Sequence, residues 1–296
     1  MLSSGRPARR FDVVLSLGLV LFAAACATVP RPSAGPAATV TAPVPRVPVP
    51  QAPPGPAMAP AEIKAEVAHL RATFAREVPR AIPLSPERQR NWISRAKAAV
   101  ATSGMNIDHP QLLVVVDCNP AVQELAIMLA QPDGPWAVIG SSKVSTGQAR
   151  RRGYYITPTG IFLHTDAILD WRAEGTFNEN HIRGLGLKGM RVWDFGWVEA
   201  RPGWLTDGET GEIRLLLHAT DPNILEARIG RPASKGCVRV PAAMDQFLDR
   251  HGVLDADYER AAADDIRFRA LLRSDRAPTP LAGRALVIID SGDAVR

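Results

Sequence analysis

A mainly β domain with short N-terminal helices is the fold class the sequence predicts, on three observations. From Gln111 onward, short apolar runs alternate with turn residues such as Asn119-Pro120 and Pro132-Asp133-Gly134, the punctuation of strands. Ahead of them, two segments repeat apolar residues at helical spacing. Ahead of those, prolines are too dense for either helix or sheet.

The first 25 residues read as an export signal. Arg6, Arg9 and Arg10 form a positive start, and Val13 to Ala25 is an apolar run too short to span a bilayer as a mature helix. Ala23-Ala24-Ala25 then precedes Cys26, which resembles the lipobox of bacterial lipoproteins, with Ala23 standing where Leu is usual. Cys26 is therefore the expected lipidation site, an ordinary cleaved signal with a new first cysteine being the alternative. Residues 26–61, with Pro43, Pro45, Pro48 and Pro50 close together, read as a semi-rigid, extended tether. An export signal, a lipid anchor and a spacer place the protein in the periplasm, held at a membrane.

Residues 62–105 form the helical segment. Ile63, Val67, Leu70 and Phe74 predict an amphipathic helix from Glu62 to about Glu77. Ser85 followed by Pro86 predicts an N-cap and first helical position, and Gly104 the stop, with Trp92, Ile93, Ala96 and Val100 on the apolar face. Both helices are expected to pack on the main domain or form a small cap, without carrying chemistry. In residues 106–296, strands are expected at Leu112–Val116, Leu125–Leu129, Trp136–Ser141, Ile213–Leu217 and Leu286–Ile289. Asn178 to Trp204, rich in Gly and Trp, reads as a long loop or lid.

The net charge is +5, and the export segment accounts for part of it. The one short basic run, Arg150-Arg151-Arg152, has no basic stripe around it, so nucleic acid is not an expected partner. A solvated turn is one reading of that run, and attraction to an anionic wall polymer the other.

The candidate chemistry is concentrated in Ser234-Lys235-Gly236-Cys237-Val238-Arg239, with His218 upstream at the end of an apolar strand. Cysteine is scarce, with only Cys26, Cys118 and Cys237. Lys235 and Arg239 flank Cys237, and a cation beside a thiol favours the nucleophilic thiolate. A histidine folded back onto the turn supplies base and then acid. The backbone N–H groups of Gly236 and Cys237 are expected oxyanion donors, since glycine permits close approach. Arg239 suits either a substrate carboxylate or an ion pair supporting the turn.

This arrangement resembles the catalytic domain of the L,D-transpeptidases, the YkuD-type family that acts on peptidoglycan. Fifteen residues, 219 to 233, separate His218 from Ser234, as the family signature requires, and Ser234, Gly236, Cys237 and Arg239 match it by position. Val144-Ser145-Thr146-Gly147 and Thr157-Pro158-Thr159-Gly160 resemble the paired segments beside the family's active site. The resemblance implies a β-sandwich-like fold, Cys237 as nucleophile, His218 as acid and base, and the Ala219 carbonyl as orienter of the imidazole. It implies substrate contacts from Ser234, Lys235 and Arg239, stem peptides as partner, and 3→3 cross-links as product. Lys235 stands where the family commonly has a second histidine. Either it biases Cys237 toward thiolate or it holds a substrate carboxylate.

Hydrolysis by the same site, attachment of a protein amine, and a non-catalytic wall-binding lipoprotein are the rival readings. Gly184 to Gly189 spells GxGxxG without a strand entering or a helix leaving, so no dinucleotide cofactor is expected. His164, His181 and Cys118 lack zinc-like spacing, so neither is a metal. Cys118 is expected to be a buried thiol.

Overall fold

The computed structural model describes residues 57–292. The expected signal segment, Cys26 and all but the last few residues of the tether lie outside the described residues.

Strand β1, Gln111–Asp117, explains how the core is built. Its run Leu112-Leu113-Val114-Val115-Val116 is apolar on both faces, and all seven residues are buried. A strand buried on one face alternates; one covered on both does not. Leu112, Val114 and Val116 enter the main core, and Leu113 and Val115 enter a second cluster on the opposite face. Each fully buried Leu or Val contributes about 1.5–3 kcal/mol, which makes β1 the axis of the domain.

Around it, β2 (Glu124–Ala130) and β3 (Ala137–Lys143) pair antiparallel on one side. On the other, β9 (Ala285–Ile289) pairs parallel, and β4 (Gly160–Leu163) antiparallel beyond it. The order is β3-β2-β1-β9-β4. A second sheet has the order β5-β6-β7-β8, from Trp171–Arg172, Arg191–Ala200, Gly211–Ala219 and Val238–Val240. Trp193, Leu215, Leu217, Val238 and Val240 from this sheet meet β1 and β2 in the main core, so the two sheets pack face to face.

The helices cover what remains apolar. Helix α1, Pro60–Glu77, sends Ile63, Val67, Leu70 and Phe74 into the main core. Helix α2, Pro86–Ser103, begins where expected, with Ser85 Oγ accepting the Arg88 N–H (3.2 Å), and stops at Gly104 with φ +73°. Its Trp92, Ala96 and Val100 cover the outer face of the first sheet. Among the described residues no helix is long and apolar enough to cross a membrane.

One expectation needs correction. Asn178 to Trp204 is not one loop, because its second half holds β6, ten residues long and buried through Phe195. Three further helices follow the catalytic segment: α3 (Ala242–Arg250), α4 (Ala256–Asp264) and α5 (Ile266–Leu271). Helix α3 seats Met244, Phe247 and Leu248 in the main core beside Phe74 of α1, whose ring meets Phe247 edge-on at 5.0 Å.

Candidate active site

Strands β7 and β8 run parallel, with Leu217 opposite Val238, His218 opposite Arg239 and Ala219 opposite Val240. Side chains alternate across a strand. Leu215, Leu217, Val238 and Val240 point into the main core, so Arg214, Leu216 and His218 share the other face with Cys237 and Arg239. The parallel register thus gathers on one surface residues that lie far apart in sequence.

His218 is buried, and its Nδ1 lies 2.6 Å from the Ala219 carbonyl oxygen. A carbonyl only accepts, so Nδ1 carries the proton and Nε2 holds the lone pair. Burial pushes this imidazole down to about 4; the Arg239 charge pushes the same way, and the Ala219 carbonyl opposes them. At neutral pH the ring is an uncharged base. The Ala219 N–H donates to Asp245 Oδ2 (3.2 Å), so a buried carboxyl group anchors the residue whose carbonyl orients the ring.

Cys237 is half-buried, and its thiol donates to the Arg214 carbonyl (3.7 Å) rather than to His218. Burial pushes the thiol up, against the Leu216 N–H and the Arg239 charge; Asp194 adds to the rise. Of the two flanking cations, Arg239 is among the strongest influences on the sulfur. Lys235 is exposed, with Nζ 5.9 Å from the Tyr154 ring centre. The expectation of a thiolate favoured by its neighbours is therefore reversed, since desolvation outweighs the nearby cation.

The turn before Cys237 is braced from three sides. Ser234 Oγ accepts the Gly236 N–H (3.1 Å) and donates to the Cys237 carbonyl (2.6 Å). Ser234 is fully buried, and its hydroxyl bridges the two ends of the turn. The Gly236 N–H, expected to face the reacting carbonyl, is committed to that hydroxyl. The backbone N–H groups of Leu216 and Cys237 pull the thiol down against its burial.

Segment 144–147 supplies the second brace. Ser145 and Arg239 exchange backbone hydrogen bonds (2.9 Å each), and Thr146 O accepts the N–H groups of Ala233 and Ser234 (2.9 Å each). Thr157 supplies the third, its Oγ1 accepting the Gly147 N–H (2.8 Å) and donating to the Gly236 carbonyl (2.7 Å). A Cβ on Gly147 would land on the Tyr155 carbonyl oxygen and 2.6 Å from Thr157 N. Gly147→Ala is accordingly expected to cost about 1–3 kcal/mol in a denaturant titration and to displace Cys237, read as altered alkylation of the folded protein.

A cleft of 720 Å³ opens beside this surface, lined by Ser145, Thr220, Arg239 and Lys235 among others. Arg239 has no carboxylate partner among the described residues: Nη1 donates to the Ala233 carbonyl (3.3 Å), and Nε is buried without a partner. The ion pair that was one reading of Arg239 is absent from the described residues. Arg150-Arg151-Arg152 is an exposed turn, as one reading of it expected, with Arg151 stacked over Tyr154 (4.1 Å). Cys118 is buried in the main core.

Two residues near the nucleophile went unnoticed in the sequence, Arg214 and Asp194. Arg214 Nε donates to the buried Asp194 Oδ2 (2.7 Å), and the Arg214 carbonyl takes the thiol proton's hydrogen bond. The period of two along β7 was the available signal, since it places Arg214 on the face of His218.

The family model of the L,D-transpeptidase catalytic domain (YkuD) matches residues 114–256, which contain His218, Cys237 and all three braces. A search of the curated proteins returns no match.

Proposed function

With an L,D-transpeptidase catalytic domain at its centre, we propose that this chain is an exported, lipid-anchored peptidoglycan L,D-transpeptidase forming 3→3 cross-links. One observation carries the mechanism: the Ala219 carbonyl holds His218 Nδ1 at 2.6 Å, which leaves the lone pair on Nε2, on the same sheet face as the Cys237 thiol. As the thiol attacks the carbonyl of the third residue of a tetrapeptide stem, its proton passes to Nε2. The backbone N–H of Cys237, one of the two expected donors, receives the developing oxyanion. Collapse breaks the C–N bond, and His218 returns the proton to the departing D-Ala amine. The side-chain amine of a neighbouring stem then attacks the thioester, giving the cross-link and restoring the thiol. Membrane attachment rests on the lipobox-like run before Cys26, and the Pro-rich tether gives the domain reach toward the wall.

Intact-mass measurement after exposure to a carbapenem tests the reading. One adduct on the wild type, lost in Cys237→Ala, is expected. Incubation with purified tetrapeptide stems should then yield dimers. Tripeptides alone would reassign the site to hydrolysis, and no adduct together with unchanged muropeptides in Cys237→Ala would leave a non-catalytic wall binder.

A further inference from the structure

Six cations line the cleft beside the nucleophile: Arg151, Arg152, Arg228, Arg231, Lys235 and Arg239, against one carboxylate, Glu179. None of the six pairs with a carboxylate among the described residues. Elsewhere the described arginines are commonly paired, as in Arg214–Asp194 and Arg172–Asp249. Unpaired like charges converging on one concavity repel one another, and an anionic ligand relieves the repulsion.

The floor of the cleft points the same way. Ser145 Oγ, Thr220 Oγ1 and Arg239 Nε are all buried without a hydrogen-bond partner, and all three residues line this cleft. Ser145 is 3% exposed and Thr220 1%. Leaving such groups unmade is costly, so three in one place describe a receptor for an acceptor group. They lie beside the catalytic surface, because Ser145 and Arg239 share a backbone bridge, and Thr220 follows His218 by two residues.

We propose that this cleft selects stem peptides by their free carboxylates. One carboxylate is seated on Ser145, Thr220 and Arg239, and further ones are held by the exposed rim of Arg151, Arg152, Arg228, Arg231 and Lys235. This rests on the transpeptidase reading and adds a specificity to it: amidated stems are poor substrates. A carboxylate accepts from two hydroxyls and a guanidinium at once, whereas a primary amide in its place brings N–H donors against a guanidinium that only donates. Lys235 acts here as a rim charge, the second of the two roles open to it in the sequence.

The test measures equilibrium binding to full-length Cys237→Ala protein, so that no chemistry intervenes. The probes are a tetrapeptide stem with free carboxylates and its amidated twin. The free stem should bind about tenfold more tightly at low salt, and the advantage should close as salt screens the rim. Arg152→Gln/Arg231→Gln, on exposed loops, should remove most of the rim's share. Thr220→Val, which keeps the side-chain shape, should weaken the free stem and leave its twin unchanged. Equal affinity for the two stems, or no binding of either, overturns the proposal, as does inorganic polyphosphate displacing the free stem at lower concentration than a competing free stem. Carbapenem acylation of the wild type is a separate measurement, so failure of selectivity and failure of acyl transfer are told apart.

Discussion

Arg191→Met is expected to lower stability by about 3–5 kcal/mol, read as a fall in the thermal midpoint on the order of 10 °C. Arg191 has no exposed surface, and its guanidinium reaches Asp170 (2.9 Å), Asp255 (3.3 Å) and Asp249 (3.4 Å). Methionine fills similar volume but leaves three buried carboxylates with less positive charge to face. His164 cannot replace it. Burial works to discharge that imidazole, and it stays raised only through Asp170 and Asp255, which it already contacts. Arg172 already holds Asp249 through both of its terminal nitrogens. Asp245 is the weak point, pushed up to about 8 by burial and by the charge of Asp249. A carboxyl held above its unfolded value favours the protonated fold, so its contribution is lost as pH rises through about 8. The Arg191 charge holds Asp170 and Asp255 down, so Arg191→Met lets both rise and should be least damaging in acid, where they can protonate, and most damaging in alkaline solution. Because Asp245 also takes the Ala219 N–H, loosening this cluster reaches the residue whose carbonyl orients His218. An unchanged midpoint in Arg191→Met would show that the cluster contributes nothing net.

The same cluster explains where the sequence was hard to read. Leu112–Val116 announced a strand buried on both faces, and Ser85 and Gly104 announced the ends of a helix, because apolar runs and capping residues act locally. Strand β6 hid because its buried positions include Arg191 and Asp194, and Gly196 interrupts the alternation at φ +80°. Helix α3 hid for a related reason: Met244, Phe247 and Leu248 have helical spacing, but Asp245 and Asp249 are buried beside them. Charges that pair only in three dimensions look, in one dimension, like surface.

At the site, the residues were legible and their electrostatics were not. His218, Ala219, Cys237 and Arg239 lie together as the turn motif and spacer suggested. Burial decides the protonation states, and burial depends on the opposing sheet and on segments 144–147 and 154–157, which no local pattern weighs. The reach of Lys235 is likewise set by Tyr154, more than eighty residues upstream.

Removing Arg239 is expected to separate the two charges that the sequence treated as equivalent. In the wild type, alkylation of Cys237 by neutral iodoacetamide should rise tenfold per pH unit through the ordinary thiol range and beyond it, because only the thiolate reacts and burial has raised this thiol. No plateau should appear at acid pH, since a preformed thiolate–imidazolium pair would require His218 to be charged, and it is held near 4. Arg239→Gln takes away a cation that lowers both groups. The thiol should move further up, slowing alkylation at neutral pH on the order of tenfold, while His218 moves back toward its ordinary value. Lys235→Ala should shift the alkylation profile less than Arg239→Gln does, since the ammonium lies over the Tyr154 ring while Arg239 is among the strongest influences on the thiol. Wild-type protein that alkylates as fast at pH 6 as at pH 8 would establish a resting thiolate and refute the neutral pair. If the neutral pair holds, the thiol is deprotonated only as it attacks, and the base must be in place when substrate arrives. That requirement assigns a purpose to the buried Asp245–Ala219–His218 chain: it holds an uncharged imidazole in one orientation without lending it a charge.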